Sequence, residues 1–276
     1  MRIQHNIAAL NSYKNLTSNN STVSKNLEKL SSGYRINRAG DDAAGLAISE
    51  KMRAQITGLE TASKNANDGI SLIQTAEGAM TEVHSMLNRM VELAQQSANG
   101  TYDNDVDRKN LQMEYTELSG EIDRISKGTS FNGKALLNGD LATTGLTLQI
   151  GETSDSFNQI AVTIGKMDSA SLGIVTGVDV SDQTKASKAV SILKAAINKV
   201  SSTRGKLGAT QNRLEHTINN LSVASENMTA AESRIRDVDM AKEMMSYTKN
   251  NILVQASQAM LAQANQVPQG VLQLLK

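Results

Sequence analysis

The chain has 276 residues, with 28 Lys+Arg against 28 Asp+Glu, 3% aromatics, no Trp, no Cys and a single Pro, Pro268. Missing thiols exclude disulfides, thiolate catalysis and cysteine-bound metal, and so few rings exclude an ordinary aromatic-filled globular core. Zero net charge hides an uneven spread: residues 1–38 carry six Lys/Arg against Glu28 alone, and residues 142–183 carry five acids against Lys166 alone. A basic end without interleaved aromatics reads as a solvated helix face, not as a nucleic-acid groove.

In chain order, Ile3, Ile7, Leu10, Leu16, Val23, Leu27 and Leu30 mark a first helix, stopped by Ser31-Ser32-Gly33. Residues 34–42 connect, and Asp41 or Asp42 caps a second helix over about 43–98, on the order of 80 Å long. Within it Met52, Leu59, Ala66, Ile73, Met80, Leu87 and Ala94 fall seven apart. A turn at 97–101 precedes a third helix carrying Val106, Leu111, Tyr115, Leu118, Ile122 and Ile125, which should fold back antiparallel. Phe131-Asn132-Gly133 ends the helical period.

Leu146, Leu148 and Ile150 alternate, as do Ile160, Val162 and Ile164, which predicts a β-hairpin. Gly, Ser, Thr and Asp around it suggest a small, solvent-facing middle. A long helix resumes over about 182–231, with Ala186, Leu193, Val200, Leu207, Leu214, Leu221, Met228 and Ile235 again seven apart. A last helix is expected over about 233–266. Strict spacing of seven keeps one seam against a partner helix for many turns. The fold class is therefore mainly α: a long antiparallel coiled-coil helical bundle formed by both ends of the chain, with a small central β-hairpin insert.

Nothing in this pattern is catalytic. His5, His84 and His216 are isolated in sequence and none begins an H-E-x-x-H run, and the phosphate-cradling and nucleophile-elbow motifs do not occur. No metal, no cofactor and no enzyme activity are expected. The Asp41-Asp42 pair, flanked by Arg35 and Arg38, reads as a helix start. Met1–Leu10 has no apolar run, so no cleavable signal peptide is expected. Residues 252–275 are uncharged but too rich in Gln and Asn to lie in hydrocarbon, so no membrane span is expected either.

Function must then lie in surfaces. Segments 1–30 and 245–276 carry apolar stripes with no partner in the middle of the chain. The candidate self-assembly residues are Ile3, Ile7, Leu10, Leu27 and Leu30 at one end, with Ile252, Met260, Val267, Val271 and Leu274 at the other. Small residues, amides and missing charge in the last segment favour packing among many identical helices. Heterologous contacts between copies give an open helical filament.

Six blocks carry a resemblance. Met1–Ile7, Leu30-Ser31-Ser32-Gly33-Tyr34-Arg35-Ile36-Asn37, Ala39-Gly40-Asp41-Asp42-Ala43-Ala44-Gly45-Leu46-Ala47-Ile48, Leu93–Thr101, Phe131-Asn132-Gly133-Lys134 and Ala264-Asn265-Gln266-Val267-Pro268-Gln269 occur in order. With them the chain resembles bacterial flagellin, in a short variant with a minimal variable region. The resemblance implies an inner tube from 1–43 and 236–276, an outer tube from 44–142 and 184–235, and an exposed variable region at 143–183. It implies terminal helices that are disordered in the monomer and a homopolymer forming the flagellar filament for motility.

It further implies unfolded export through the flagellar type III apparatus, a secretion chaperone at the C-terminal helix, filament cap and hook-junction partners, and an extracellular location. Arg89, Leu93 and Glu114 match positions through which flagellins of this type meet an animal Toll-like receptor; Val91 departs from the basic residue many members carry. A hook–filament junction protein with similar ends is the alternative, and the intact central blocks favour the filament subunit.

Overall fold

The computed structural model describes residues 6–103, 106–175 and 178–274, the stretch 268–274 by its backbone alone. Its elements are α1 (Ile7–Ser32), α2 (Ala43–Ala98), α3 (Asp107–Gly128), β1 (Ser130–Phe131), β2 (Lys134–Ala135), β3 (Leu146–Gln149), β4 (Gln159–Val162), a short α4 (Ser169–Leu172), α5 (Gln183–Arg236) and α6 (Met240–Leu274). They form two compact units, Met1–Ile56 with Glu226–Lys276, and Thr57–Ser225; α2 and α5 contribute to both.

In the first unit α1 pairs with α6, and amides hold much of the seam. Asn6 caps α1 by accepting from Ala9 N (3.1 Å) and donates to Ala264 O (2.8 Å). Asn19 Nδ2 donates to Ser257 Oγ (3.0 Å). Asn26 is buried between Glu243 and Asn250, and these neighbours fix its amide orientation: with the nitrogen towards Glu243 Oε1 (3.1 Å) it donates there, and its oxygen accepts from Asn250 Nδ2 (3.0 Å). Such pairing lets uncharged polar side chains leave water at little cost.

Gly33 ends α1 in the left-handed conformation at φ 74°, a geometry that favours glycine. The next residues form a bridge to the end of α5: Arg35 N donates to Arg236 O (2.7 Å) and Val238 N to Gly33 O (3.0 Å). Asp41 Oδ2 accepts from the backbone of Asn37 and Arg38, which holds its carboxyl below its ordinary pKa, and Asp42 Oδ1 caps α2 through Gly45 N (2.9 Å). A Cβ at Gly45 would stand 2.5 Å from Asp42 Oδ2 and 2.8 Å from Ile36 Cδ1, so a side chain there would push on the capping carboxylate. The Tyr34–Ile48 run thus specifies a helix junction.

In the second unit the two spacings of seven form one seam. Ala66, Ile73, Met80, Leu87 and Ala94 of α2 and Ala186, Leu193, Val200, Leu207 and Leu214 of α5 are all buried in a common core, which α3 joins through Tyr115 and Ile122. Arg108 is buried where α3 begins: Nε donates to Ser97 O (2.8 Å) and Nη2 to Asn99 O (2.8 Å), satisfying carbonyls at the end of α2. Strands β3 and β4 are antiparallel, with Leu146 opposite Val162 and Leu148 opposite Ile160.

Three expectations need correction. The middle is not solvent-facing: Ile150, Ile160, Val162, Ile164, Met167, Leu172, Ile174, Val178 and Val180 are buried in the same core. Its polar residues occupy the turns, while every second strand residue and the short α4 supply apolar cover. Second, α5 runs to Arg236 and α6 starts at Met240, because Ser233 and Asp237 bond to each other and Asp239 Oδ1 caps the new helix at Lys242 N (3.1 Å). The last helix continues through Pro268 to Leu274, a single ring removing a single N–H donor. Third, Asn132 (φ 47°) and Gly133 (φ 75°) turn a further hairpin, β1–β2, too short to show alternation.

Candidate functional site

A unit of two paired helices has two faces that neither helix can cover. On α1 the exposed apolar side chains are Ile7, Leu10, Tyr13 and Leu27. On α6 they are Met240, Met244, Met245, Ile252, Leu253, Met260 and Val267, with Leu10, Met245 and Met260 each about two-thirds exposed (68%, 68% and 65%). Apolar residues around so much of a helix suit burial on several sides at once. A fully exposed side chain of this kind gains roughly 1.5–3 kcal/mol on full burial; these, already partly covered, gain about half of that each, and together they favour association.

Of the residues expected to drive assembly, Ile7, Leu10, Leu27, Ile252, Met260 and Val267 lie on these faces, and Leu30 is half-buried. Ile3 and the side chains of Val271 and Leu274 lie outside the described residues. Sequence reasoning missed Tyr13, Met240, Met244, Met245 and Leu253. The signal was present: Leu253, Met260 and Val267 are seven apart and point on to Leu274.

The three candidate receptor residues separate. Arg89 and Glu114 are exposed and joined by a two-pronged ion pair, Nε–Oε1 2.8 Å and Nη2–Oε2 3.3 Å, with Glu92 on the third nitrogen (3.0 Å). Those carboxylates, Glu114 foremost, raise the Arg89 pKa further. Leu93 is fully buried in the core, so it supports this patch from beneath and has no free surface of its own.

Among the described residues no His, Asp or Glu cluster is arranged to hold a metal ion, and no helix is long and apolar enough to cross a membrane. Asp41 and Asp42 are engaged with backbone N–H groups. Core-forming long helices with exposed apolar terminal helices define a self-assembling helical subunit.

The comparisons with known proteins agree. Residues 3–142 match the bacterial flagellin N-terminal helical region and residues 190–275 the bacterial flagellin C-terminal helical region. The chain is 58% identical to a flagellin of Bacillus subtilis (strain 168) and 56% identical to a flagellin of Halalkalibacterium halodurans, over 100% of both chains in each case. A flagellar filament 33 kDa core protein of Treponema phagedenis is 49% identical over 100% of both chains. A Bacillus cereus flagellin structure, 34% identical, covers 61% of this chain and 94% of its own with a TM-score of 0.50. Bacillus cereus FlgL, 14% identical with a TM-score of 0.53 over 66% of this chain and 99% of its own, shares the fold alone. The chain belongs to the bacterial flagellin family, whose members are structural subunits of the flagellar filament and not enzymes.

Proposed function

We propose that this chain is exported unfolded by the flagellar type III apparatus and polymerises outside the cell into the filament used for motility. The observation that carries the reading is the exposed apolar surface of α1 and α6, which a copy alone leaves in water. On this reading 1–43 and 236–276 line an inner tube, disordered in the monomer. Residues 44–142 and 184–235 build the outer tube, and 143–183 face outward at their turns. In the cytoplasm a secretion chaperone covers α6, whose uncharged stripe would otherwise aggregate. Cap and hook-junction proteins meet the same terminal helices at the two ends of the polymer.

Deleting the gene should abolish filaments and swimming, and wild-type chain supplied in trans should restore both. Restored filaments without restored swimming would remove the motility assignment. A second surface, the Arg89–Glu114 pair, supports contact with an animal Toll-like receptor, because its charged groups are exposed on a rigid two-helix platform. Arg89→Ala should lower receptor signalling by monomer at unchanged helicity; undiminished signalling would exclude the pair.

A further inference from the structure

Phe157 is 75% exposed on the loop joining β3 to β4, although the chain has only two Phe and the other, Phe131, packs against the core. The loop is bonded to itself. Asn158 Nδ2 donates to Thr153 Oγ1 (2.6 Å), Thr153 Oγ1 to Asp155 Oδ2 (2.6 Å), and Asn158 N to Asp155 O (2.9 Å). A ring presented in water on a fixed loop loses little freedom when it docks. It is built as a knob.

The same unit offers a hole. Val106, Lys109, Asn110, Gln112, Met113 and Ser181 bound an open cleft of about 510 Å³, with Val106 (60%) and Met113 (61%) exposed in it. Knob and hole sit at opposite ends of this unit's part of α2. Glu152, where the Phe157 loop begins, lies against Gly58: a Cβ there would stand 3.2 Å from Glu152 Cβ. The cleft lies at the other end, where Arg108 Nε reaches Ser97 O (2.8 Å) and Gln183 Nε2 reaches Ala98 O (3.1 Å). Between residues 58 and 98 the helix rises about 60 Å.

That separation prevents the two from meeting within one copy. A second copy displaced along α2 by about that length brings its knob to the first copy's hole. Such a head-to-tail contact leaves a free knob at one end and a free hole at the other, so it propagates without closing.

We infer that Phe157 of one copy seats in the Val106–Met113 cleft of the next copy along the filament. The inference rests on the filament reading and adds the contact that sets the repeat. Because the chain has no Cys, Phe157→Cys with Met113→Cys gives a clean test. Assembled filaments of the double variant are treated with a short bis-maleimide and run on a denaturing gel. A ladder of covalent multimers is expected from the double variant, dimers at most from a copolymer of the two single variants, and monomer from either single variant alone.

Filaments that assemble but yield only monomer would overturn the contact while leaving the filament reading intact. A wild-type chain that forms no filaments would fail the reading itself. Phe157→Ser guards against a misleading crosslink. Its critical concentration for polymerisation should rise at least about tenfold, as for loss of an interface anchor, with Phe157→Leu restoring most of it. An unchanged critical concentration would also overturn the contact.

Discussion

Leu148 of β3 occupies the space that a side chain on Gly69 of α2 would need: a Cβ at Gly69 would lie 2.3 Å from Leu148 Cδ1. The middle of the chain is thus pressed onto the long helix at a position where a side chain on residue 69 would have to displace Leu148. Replacing a helical Gly by Ala ordinarily gains up to about 1 kcal/mol, but overpacking here should cost about 1–3 kcal/mol. Gly69→Ala should therefore lower the urea midpoint of the second unit, and Leu148→Ala in the same chain should recover part of the loss, a coupling a double-mutant cycle would measure. A Gly69→Ala chain more stable than wild type would show that the strand does not bear on the helix.

Leu214 is fully buried in the α2–α5 core. Leu214→Glu removes its apolar contacts and places a carboxylate in the core, at a cost of at least about 3 kcal/mol. Circular dichroism should show lost cooperativity in the second unit. Unchanged melting would mean that the spacing of seven is not a packing seam.

Met260 tests the terminal surface separately. Being exposed, its replacement by Glu should leave the helicity and stability of the monomer within about 0.5 kcal/mol of wild type while blocking polymerisation. Normal filaments from Met260→Glu would remove α6 from the assembly interface.

Acid should weaken the second unit. Burial by itself would raise the Asp168 pKa, yet hydrogen bonds from Lys166 and Ser171 hold it to about 2 against an ordinary 3.8. Asp179 is held to about 2 chiefly by Ser181, then by Lys185. Both carboxyls bind protons more weakly when folded. The unfolded chain therefore takes up protons first, and stability present above about pH 4 is lost as pH falls towards 2. Denaturant midpoints measured across that window should fall in wild type and fall less in an Asp168→Asn, Asp179→Asn double variant; equal slopes would discard the two pairs as contributors.

Much of this was legible in the residues. The repeats of seven are buried positions because a seam of fixed period cannot face water on a long helix, and Ser32-Gly33 and Asp42 punctuate helices through capping chemistry that depends on local residues alone. What escaped reading needed long-range contacts. Burial of Ile164, Met167, Ile174 and Val180 is decided by partners across the fold, such as Tyr115, whose hydroxyl donates to Ile174 O (2.9 Å). The break expected near 232 falls instead at 237–239, because apolar spacing continues through Ile235 and the backbone is interrupted only at Asp237 and Asp239. For the assembly surface, Ile7 and Met260 were readable as stripe residues, whereas Leu93 matched by position and proved to be core.

The central claim is that copies of this chain cover one another's terminal helices. Its most direct test is negative-stain electron microscopy of purified chain, concentrated and seeded with short fragments, with hydrogen exchange read at α1 and α6 before and after. The account predicts filaments of uniform width with a central channel, and amides of α1 and α6 that become protected only on assembly. Persistent monomers whose α1 and α6 amides are already protected would contradict it.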